Sequence, residues 1–269
     1  MKKKNSTLSI VLFLLFFTLF CFSAFKIFIY LKEAKQASDL RNEIAENAIT
    51  PLPEKNQNDE SENKENNGLL QSDIPVLKEP DIQVDLAKIK KTYPGAIGWL
   101  YCPDTPIHYP VMQYSDNDYY VHRLPNGTEN PAGSLFMDCR HKPDFTGFGQ
   151  VIYGHNMKNR SMFGSILDYR KDGYFKEHPY LFYFTETSVY RLELFAGVHT
   201  TADSEYYYPS EKMENRAEYL SKLKKRSVFQ SDVSVTGDDK IMILSTCSGA
   251  TGQDKRFILV GKLVPLQLG

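Results

Sequence analysis

The chain has 269 residues, with 32 Lys plus Arg against 33 Asp plus Glu, 42% hydrophobic residues and only four Cys. A net charge of -1 excludes a strongly basic protein that holds nucleic acid by bulk charge, because that affinity comes from Lys and Arg neutralising phosphates. The length fits one ordinary domain with appendages, and the averages conceal segments of very different physics.

Lys2, Lys3 and Lys4 precede an apolar run that starts at Leu8, meets only Lys26, and continues through Tyr30. A helix needs about 20 apolar residues to cross the hydrocarbon core, so residues 8–30 are long enough. A cleaved signal peptide is the rival reading. The run exceeds the roughly 7 to 15 residues of a signal core, and Phe22-Ser23-Ala24 puts a bulky ring where cleavage wants a small residue, so an uncleaved anchor is favoured. Basic residues stay on the cytoplasmic side, which leaves residues 1–7 inside and everything after about residue 31 outside. The expected location is therefore the cell membrane, crossed once, with the bulk of the chain on the extracellular face.

Residues 31–47 are mixed in charge and helix-forming, and Pro51 and Pro53 end the pattern. Residues 54–68 are rich in Asn, Glu and Lys, without aromatic or β-branched side chains, and cannot bury enough surface to offset the entropy of ordering. Segment 31–68 is thus expected as a helical, then disordered, tether, and the folded domain as residues 69–269.

In that domain, residues 84–91 have helical spacing and stop before Pro94-Gly95. Short β-like runs follow at 97–102, 107–112, 133–137, 150–153, 180–185, 189–199, 240–246 and 256–264, which predict a mainly β domain, an antiparallel barrel or sandwich. Two helices interrupt them. One covers 161–169, and the other covers 211–226, with Met213, Ala217, Leu220 and Leu223 along one side, packed on the barrel.

Beyond the apolar run stand Cys102, Cys139 and Cys247, an odd number without CxxC spacing, so one thiol is left without an intramolecular disulfide. Cys102 and Cys139 read as small buried hydrophobes. Cys247 closes the apolar run 240–246 and is followed by the small-residue stretch 248–252, a strand-end position suited to a nucleophile. If 240–247 and 256–264 pair as a hairpin, Arg256 falls opposite Cys247, where its permanent charge can reach an oxyanion. By spacing alone a surface charge guarding an edge strand explains Arg256 equally well. Six histidines are available; His155 ends the strand that finishes Tyr153-Gly154, and it shares with Cys247 a strand-end setting beside a small residue. No HExxH, EF-hand loop or paired metal-spaced His is present, and no cofactor or metal is expected.

Ile243-Leu244-Ser245-Thr246-Cys247, Arg256 nine positions later, Tyr153-Gly154-His155 upstream and a single N-terminal anchor resemble a class B sortase. Ile97-Gly98-Trp99-Leu100, Tyr109-Pro110-Val111, Asp116-Asn117 with Tyr119, residues 133–138, and Asp239-Lys240-Ile241-Met242 extend the resemblance across the domain. One departure is visible: Ile243 stands where the family usually has Thr. The resemblance implies an eight-stranded β-barrel with N-terminal helices and a helix between strands 6 and 7. It implies a cysteine transpeptidase with Cys247 as nucleophile, His155 as acid/base and Arg256 as stabiliser of the oxyanion or substrate. Asn117, Tyr153, Tyr206, Tyr207 and Ser245 are the implied groove residues, with the register inside Tyr206-Tyr207-Tyr208 open. Implied partners are secreted proteins with a C-terminal sorting motif and an amine of a peptidoglycan precursor. A thiol hydrolase with the same site, and a non-catalytic anchored binding module, are the competing readings.

Overall fold

The computed structural model describes residues 3–53, 79–209, 213–249 and 254–267; the tether expected over 54–68 and the boundary at 69 lie outside the described residues. Helix α1 spans Lys3–Ala48 and is followed by strands β1 (Ile49–Pro51) and β2 (Ile82–Val84), then by α2 (Leu86–Thr92). The strands β3 (Ala96–Tyr101), β4 (His108–Met112), β5 (Leu135–Met137), β6 (Gly149–Tyr153), β7 (Tyr180–Phe184), β8 (Val189–Thr201), β9 (Ile241–Cys247) and β10 (Lys255–Leu266) follow the eight runs expected from the sequence. Helix α3 (Tyr174–Glu177) precedes β7, and α4 (Arg216–Arg226) lies between β8 and β9, the sixth and seventh strands of the barrel.

The eight strands close into a barrel in the order β10-β8-β7-β3-β4-β5-β6-β9. The barrel is not wholly antiparallel: β4 pairs with β5, and β6 with β9, in parallel. Parallel neighbours need long crossovers, and the β6-to-β9 crossover carries β7, β8 and α4. Leu100, Leu181, Leu192, Met242, Leu244 and Leu259 fill the interior. On the outside, Val151, Ile241, Ile243, Ile258 and Val260 form a second apolar surface covered by Leu220 and Leu223 of α4. Tyr219 is also buried there, whereas Ala217 is exposed and Met213 precedes the helix, so the covering stripe is narrower than the sequence suggested. The expected helix over 161–169 is a tighter 3-10 helix at Ser165–Arg170.

The helical pattern expected over 31–47 continues α1, and its last turns pack on the barrel. Leu40, Ile44 and Ala48, spaced one helical turn apart on α1, are buried with Leu86, Ile89 and Trp99, and β1 pairs with β2. Burying a Leu or Ile contributes roughly 1.5 to 3 kcal/mol, enough to dock the last turns of α1 on the barrel rather than leave them as tether. In the mixed-charge segment those three apolar residues are a weak signal until a partner surface is known. Asp85 caps α2 by accepting from the Lys88 N–H at 2.9 Å, and Lys90 and Lys91 sit at the favourable C-terminal end of its dipole.

Candidate active site

Cys247 is the last residue of β9, and its thiol is exposed. Because Ile241 and Ile243 project to the outer face under α4, the two-residue alternation of a strand sends Ser245 and Cys247 to that face as well. On one side β10 runs antiparallel, and Arg256 pairs directly with Cys247. The Arg256 guanidinium turns to its sequence neighbours, with Nη2 3.3 Å from the Asp254 carboxylate and Nη1 donating to the Lys255 carbonyl at 3.3 Å. Exposed ties of this kind are weak in water, so the fork is free to re-aim toward a bound anion.

On the other side of β9, β6 runs parallel and ends with Tyr153 opposite Ser245. His155 and Cys247 each follow that pair by two residues. Two bonds carry the alignment past the strand end: Gly154 N–H donates to the Ser245 carbonyl at 3.1 Å, and Thr246 Oγ1 donates to the Gly154 carbonyl at 2.8 Å. Gly154 fits only as glycine, since a Cβ there would lie 2.4 Å from a Leu135 methyl and 2.7 Å from the Phe163 ring. The approach to His155 is thereby held tightly against the barrel.

His155 Nε2 bonds to the Val121 carbonyl at 2.8 Å. A carbonyl only accepts, so the neutral ring carries its proton on Nε2 and keeps a lone pair on Nδ1. Burial pushes the His155 pKa down, the Val121 bond opposes that, and His122, whose ring stacks 5.8 Å away, lowers it further. The imidazole is therefore neutral near pH 7, with Nδ1 able to accept a proton.

Beside Ser245 the surface continues as an aromatic wall. Ser245 Oγ donates to the Tyr207 hydroxyl at 3.2 Å, and the Tyr153 and Tyr207 rings lie 6.2 Å apart. Tyr153 in turn donates its hydroxyl to Asp138 at 2.7 Å. Burial alone would push the fully buried Asp138 carboxyl up, but bonds from the Arg140 side chain and backbone and from Tyr153 hold it well below the usual carboxylate range. The same burial, with the neighbouring Tyr207 and Asp138, raises the Tyr153 phenol, so that hydroxyl stays a donor. Asn117 accepts from the N–H of Cys139, the residue after Asp138, at 2.8 Å.

The tyrosine triplet divides three ways. Tyr207 reaches Ser245, Tyr208 lies 4.0 Å beneath the Arg140 guanidinium, and Tyr206 packs under Arg226 of α4, away from the Ser245 contact. Tyr206 is thus not brought to Ser245 as Tyr207 is. The Val121 carbonyl, His122, Asp138 and Arg140 are contributors that sequence reasoning missed. A backbone carbonyl leaves no residue-type signal, and an Asp-Cys-Arg run reads as surface until the aspartate is known to be buried. Cys102 is buried as expected, 3.9 Å from the Tyr169 hydroxyl, and burial pushes its thiol up to about 11. Cys139 is only half-buried, and all four cysteines are free. Ile243, the departure from the usual Thr, is fully buried against Val151 and Val260, where an apolar side chain satisfies its surroundings and a hydroxyl would have to find a partner.

A family model described as the sortase domain matches residues 100–264. The chain is 38% identical over 187 residues to Sortase B of Listeria monocytogenes serovar 1/2a, covering 68% of this chain and 76% of that protein. It is similar to the Staphylococcus aureus sortase B-substrate complex with a TM-score of 0.63 at 29% identity, over 68% of this chain and 85% of that one. A crystal structure of Sortase B complexed with triglycine matches with a TM-score of 0.63 at 29% identity, over 67% of this chain and 86% of that one. Since the family match runs from within β3 to within β10 and includes both strands that flank Cys247, the chain belongs to the sortase family and is a class B cysteine transpeptidase.

Proposed function

We propose that the protein is a membrane-anchored transpeptidase that cleaves a C-terminal sorting motif of secreted proteins and transfers them to an amine of a peptidoglycan precursor. The observation that carries this reading is the position of Cys247 on β9, with the His155 approach on β6 to one side and Arg256 on β10 to the other. The sortase B neighbours bound to a substrate and to triglycine support a peptide donor and an amine acceptor.

In this reaction the Cys247 thiol gives its proton to His155 Nδ1 as its sulfur attacks the peptide carbonyl. A carbon–sulfur bond forms, and the carbonyl oxygen gains negative charge. Arg256, always protonated, stabilises that charge without exchanging a proton. The carbon–nitrogen bond then breaks, the departing amine takes the proton from His155, and a thioester remains on Cys247. A second amine, losing its proton to His155, attacks the thioester; a new amide forms and the thiolate leaves and is reprotonated. The aromatic wall of Tyr153 and Tyr207, with Ser245 and Asn117, is suited to hold the peptide in an extended form along the outer face of the barrel.

The first part of α1 supports the anchor. It is exposed, long enough to cross a bilayer, and reaches a mean hydropathy of 2.6 over its most apolar window. With the basic residues kept inside, the catalytic domain stands on the extracellular side. Anchoring would confine enzyme and membrane-bound substrates to one surface and raise their effective concentration.

The test is mass spectrometry of the full chain in detergent, incubated with a library of candidate sorting peptides and triglycine. The expected result is a mass increase on Cys247 and a peptide–triglycine product. Product lacking triglycine would mark a hydrolase, and cleavage that persists in Cys247→Ala would refute the nucleophile.

A further inference from the structure

Both restraints on His155 lead back to α1. On one side, the Val121 carbonyl that takes Nε2 belongs to a turn tied down by Asn130, whose N–H donates to the His122 carbonyl at 2.9 Å. The buried Asn130 side chain donates to the Glu33 carbonyl of α1 at 2.9 Å and lies 3.4 Å from Gln36 Oε1. On the other side, the loop leaving His155 returns through Met162 and Phe163. Asn156 bridges to Met162, and the Phe163 N–H donates to the His155 carbonyl at 3.0 Å.

That loop is held in an unfavourable shape. Arg160 and Met162 have φ of 67° and 54°, a region non-glycine residues occupy only where the surroundings over-determine them. Besides the Asn156 bridge, Met162 is held by the Tyr109 hydroxyl, which accepts from the Met162 N–H at 3.0 Å. The same hydroxyl accepts from Arg41 Nη1 of α1 at 3.1 Å, and the guanidinium lies 5.2 Å from the Tyr109 ring centre. Apolar packing does not replace this link, because a cavity of about 260 Å³ lined by Ala37, Arg41, Tyr109, Leu124, Met157 and Met162 separates α1 from the loop. The polar contacts therefore carry the connection across a gap.

We propose that the α1 segment immediately after the apolar stretch positions His155, with Tyr109 as the positioning residue through which Arg41 holds the His155 loop. The proposal rests on the reading of His155 as the acid/base. It makes turnover depend on how the juxtamembrane helix is seated, so a change at α1 reaches the imidazole without touching substrate. The consequence for the reaction is in proton transfer rather than peptide binding.

The experiment uses the full chain in detergent, with the peptide that forms the acyl-enzyme and with triglycine as amine. Tyr109→Phe keeps the ring but deletes the shared hydroxyl; Arg41→Ala and Arg41→Lys probe the α1 side; His155→Ala is the reference. Tyr109→Phe and Arg41→Ala are each expected to lower kcat about tenfold with KM changed by less than about twofold, and Arg41→Lys to recover part of the loss. The Arg41→Ala/Tyr109→Phe double variant should be no worse than Tyr109→Phe, since both act through one hydroxyl. In histidine-labelled protein followed by NMR, the His155 ring should titrate at higher pH in Tyr109→Phe, because a loosened loop admits water. Normal turnover in Tyr109→Phe beside an inactive His155→Ala overturns the positioning role alone. A loss of turnover with an unchanged His155 titration also overturns it, leaving Tyr109 as a stabilising residue only. An active His155→Ala overturns the acid/base reading and this proposal together.

Discussion

Arg256 faces Cys247 directly across the β9–β10 ladder, at the exposed end of the hairpin. In an antiparallel pair, opposed side chains have Cβ atoms about 5 Å apart, so the oxyanion of a carbonyl attacked by the Cys247 sulfur would be within reach of the guanidinium. Lys at this position keeps the charge but loses the planar fork of donors. Arg256→Lys is expected to lower kcat/KM by about 10- to 100-fold, a loss of roughly 1.4 to 2.7 kcal/mol in transition-state stabilisation. Steady-state kinetics with the acyl-enzyme-forming peptide check this, and near-normal turnover would remove Arg256 from the oxyanion role.

The Asp138 carboxylate stabilises the fold as long as it is charged. Its folded pKa lies below the unfolded value, so its contribution is fully present above about pH 4 and is lost only as pH falls through the depressed folded value. Asp138→Asn should lower stability by about 2 kcal/mol, the worth of hydrogen bonds to a charged group. Chemical denaturation at pH 7 measures it. Turnover should fall as well, because Tyr153 loses its anchor.

His108 works through the opposite kind of group, an imidazole kept neutral. Burial, with the Arg41 charge beside it, pushes the ring down to about 4 while Asp81 opposes, and the ring lies edge-on to Trp99 with ring centres 5.1 Å apart. The unfolded chain takes up the proton at about 6.5, so stability is full above that pH and declines between about 6.5 and 4. The loss is at most on the order of 3 kcal/mol, less whatever solvent reaches the partly exposed ring. The thermal midpoint of the wild type should fall on acidification from pH 7 to 4.5, and by a smaller amount in His108→Gln.

Ile243→Thr restores the residue common in the family and should not help. The side chain is fully buried among Val151, Ile258 and Val260, so the new hydroxyl lacks an apparent partner and should cost about 1 to 3 kcal/mol. Because Cys247 and Ser245 keep their places, kcat should change by less than about threefold. Denaturant midpoints and kinetics on the same samples separate the two effects.

The strand frame around Cys247 was legible in the sequence. The hairpin spacing that set Arg256 opposite Cys247 follows from strand geometry alone, and the observed register agrees. The eight strand positions were readable because apolar runs between turn residues are a local signal. Ser245, Tyr153 and Asn117 came through resemblance; Ser245 and Tyr153 both lie beside Tyr207, while Asn117 bonds to the Cys139 backbone. Resemblance left the register inside Tyr206-Tyr207-Tyr208 open, since three identical side chains in a row carry none; Tyr207 bonds with Ser245, and the Tyr206 ring packs under Arg226.

What the sequence by itself determined is what local physics decides: an apolar segment long enough for a bilayer, a β-rich domain, and one thiol at a strand end beside a small-residue loop. The tertiary structure decided what depends on distant partners. It set the parallel β6–β9 pairing that aligns the approach to His155 with Cys247, and it buried Asp138 beneath Arg140 and Tyr153. It also docked the end of α1 against the barrel. Each of these rests on desolvation or backbone pairing between segments far apart in the chain, which a reading of neighbours along the sequence does not contain.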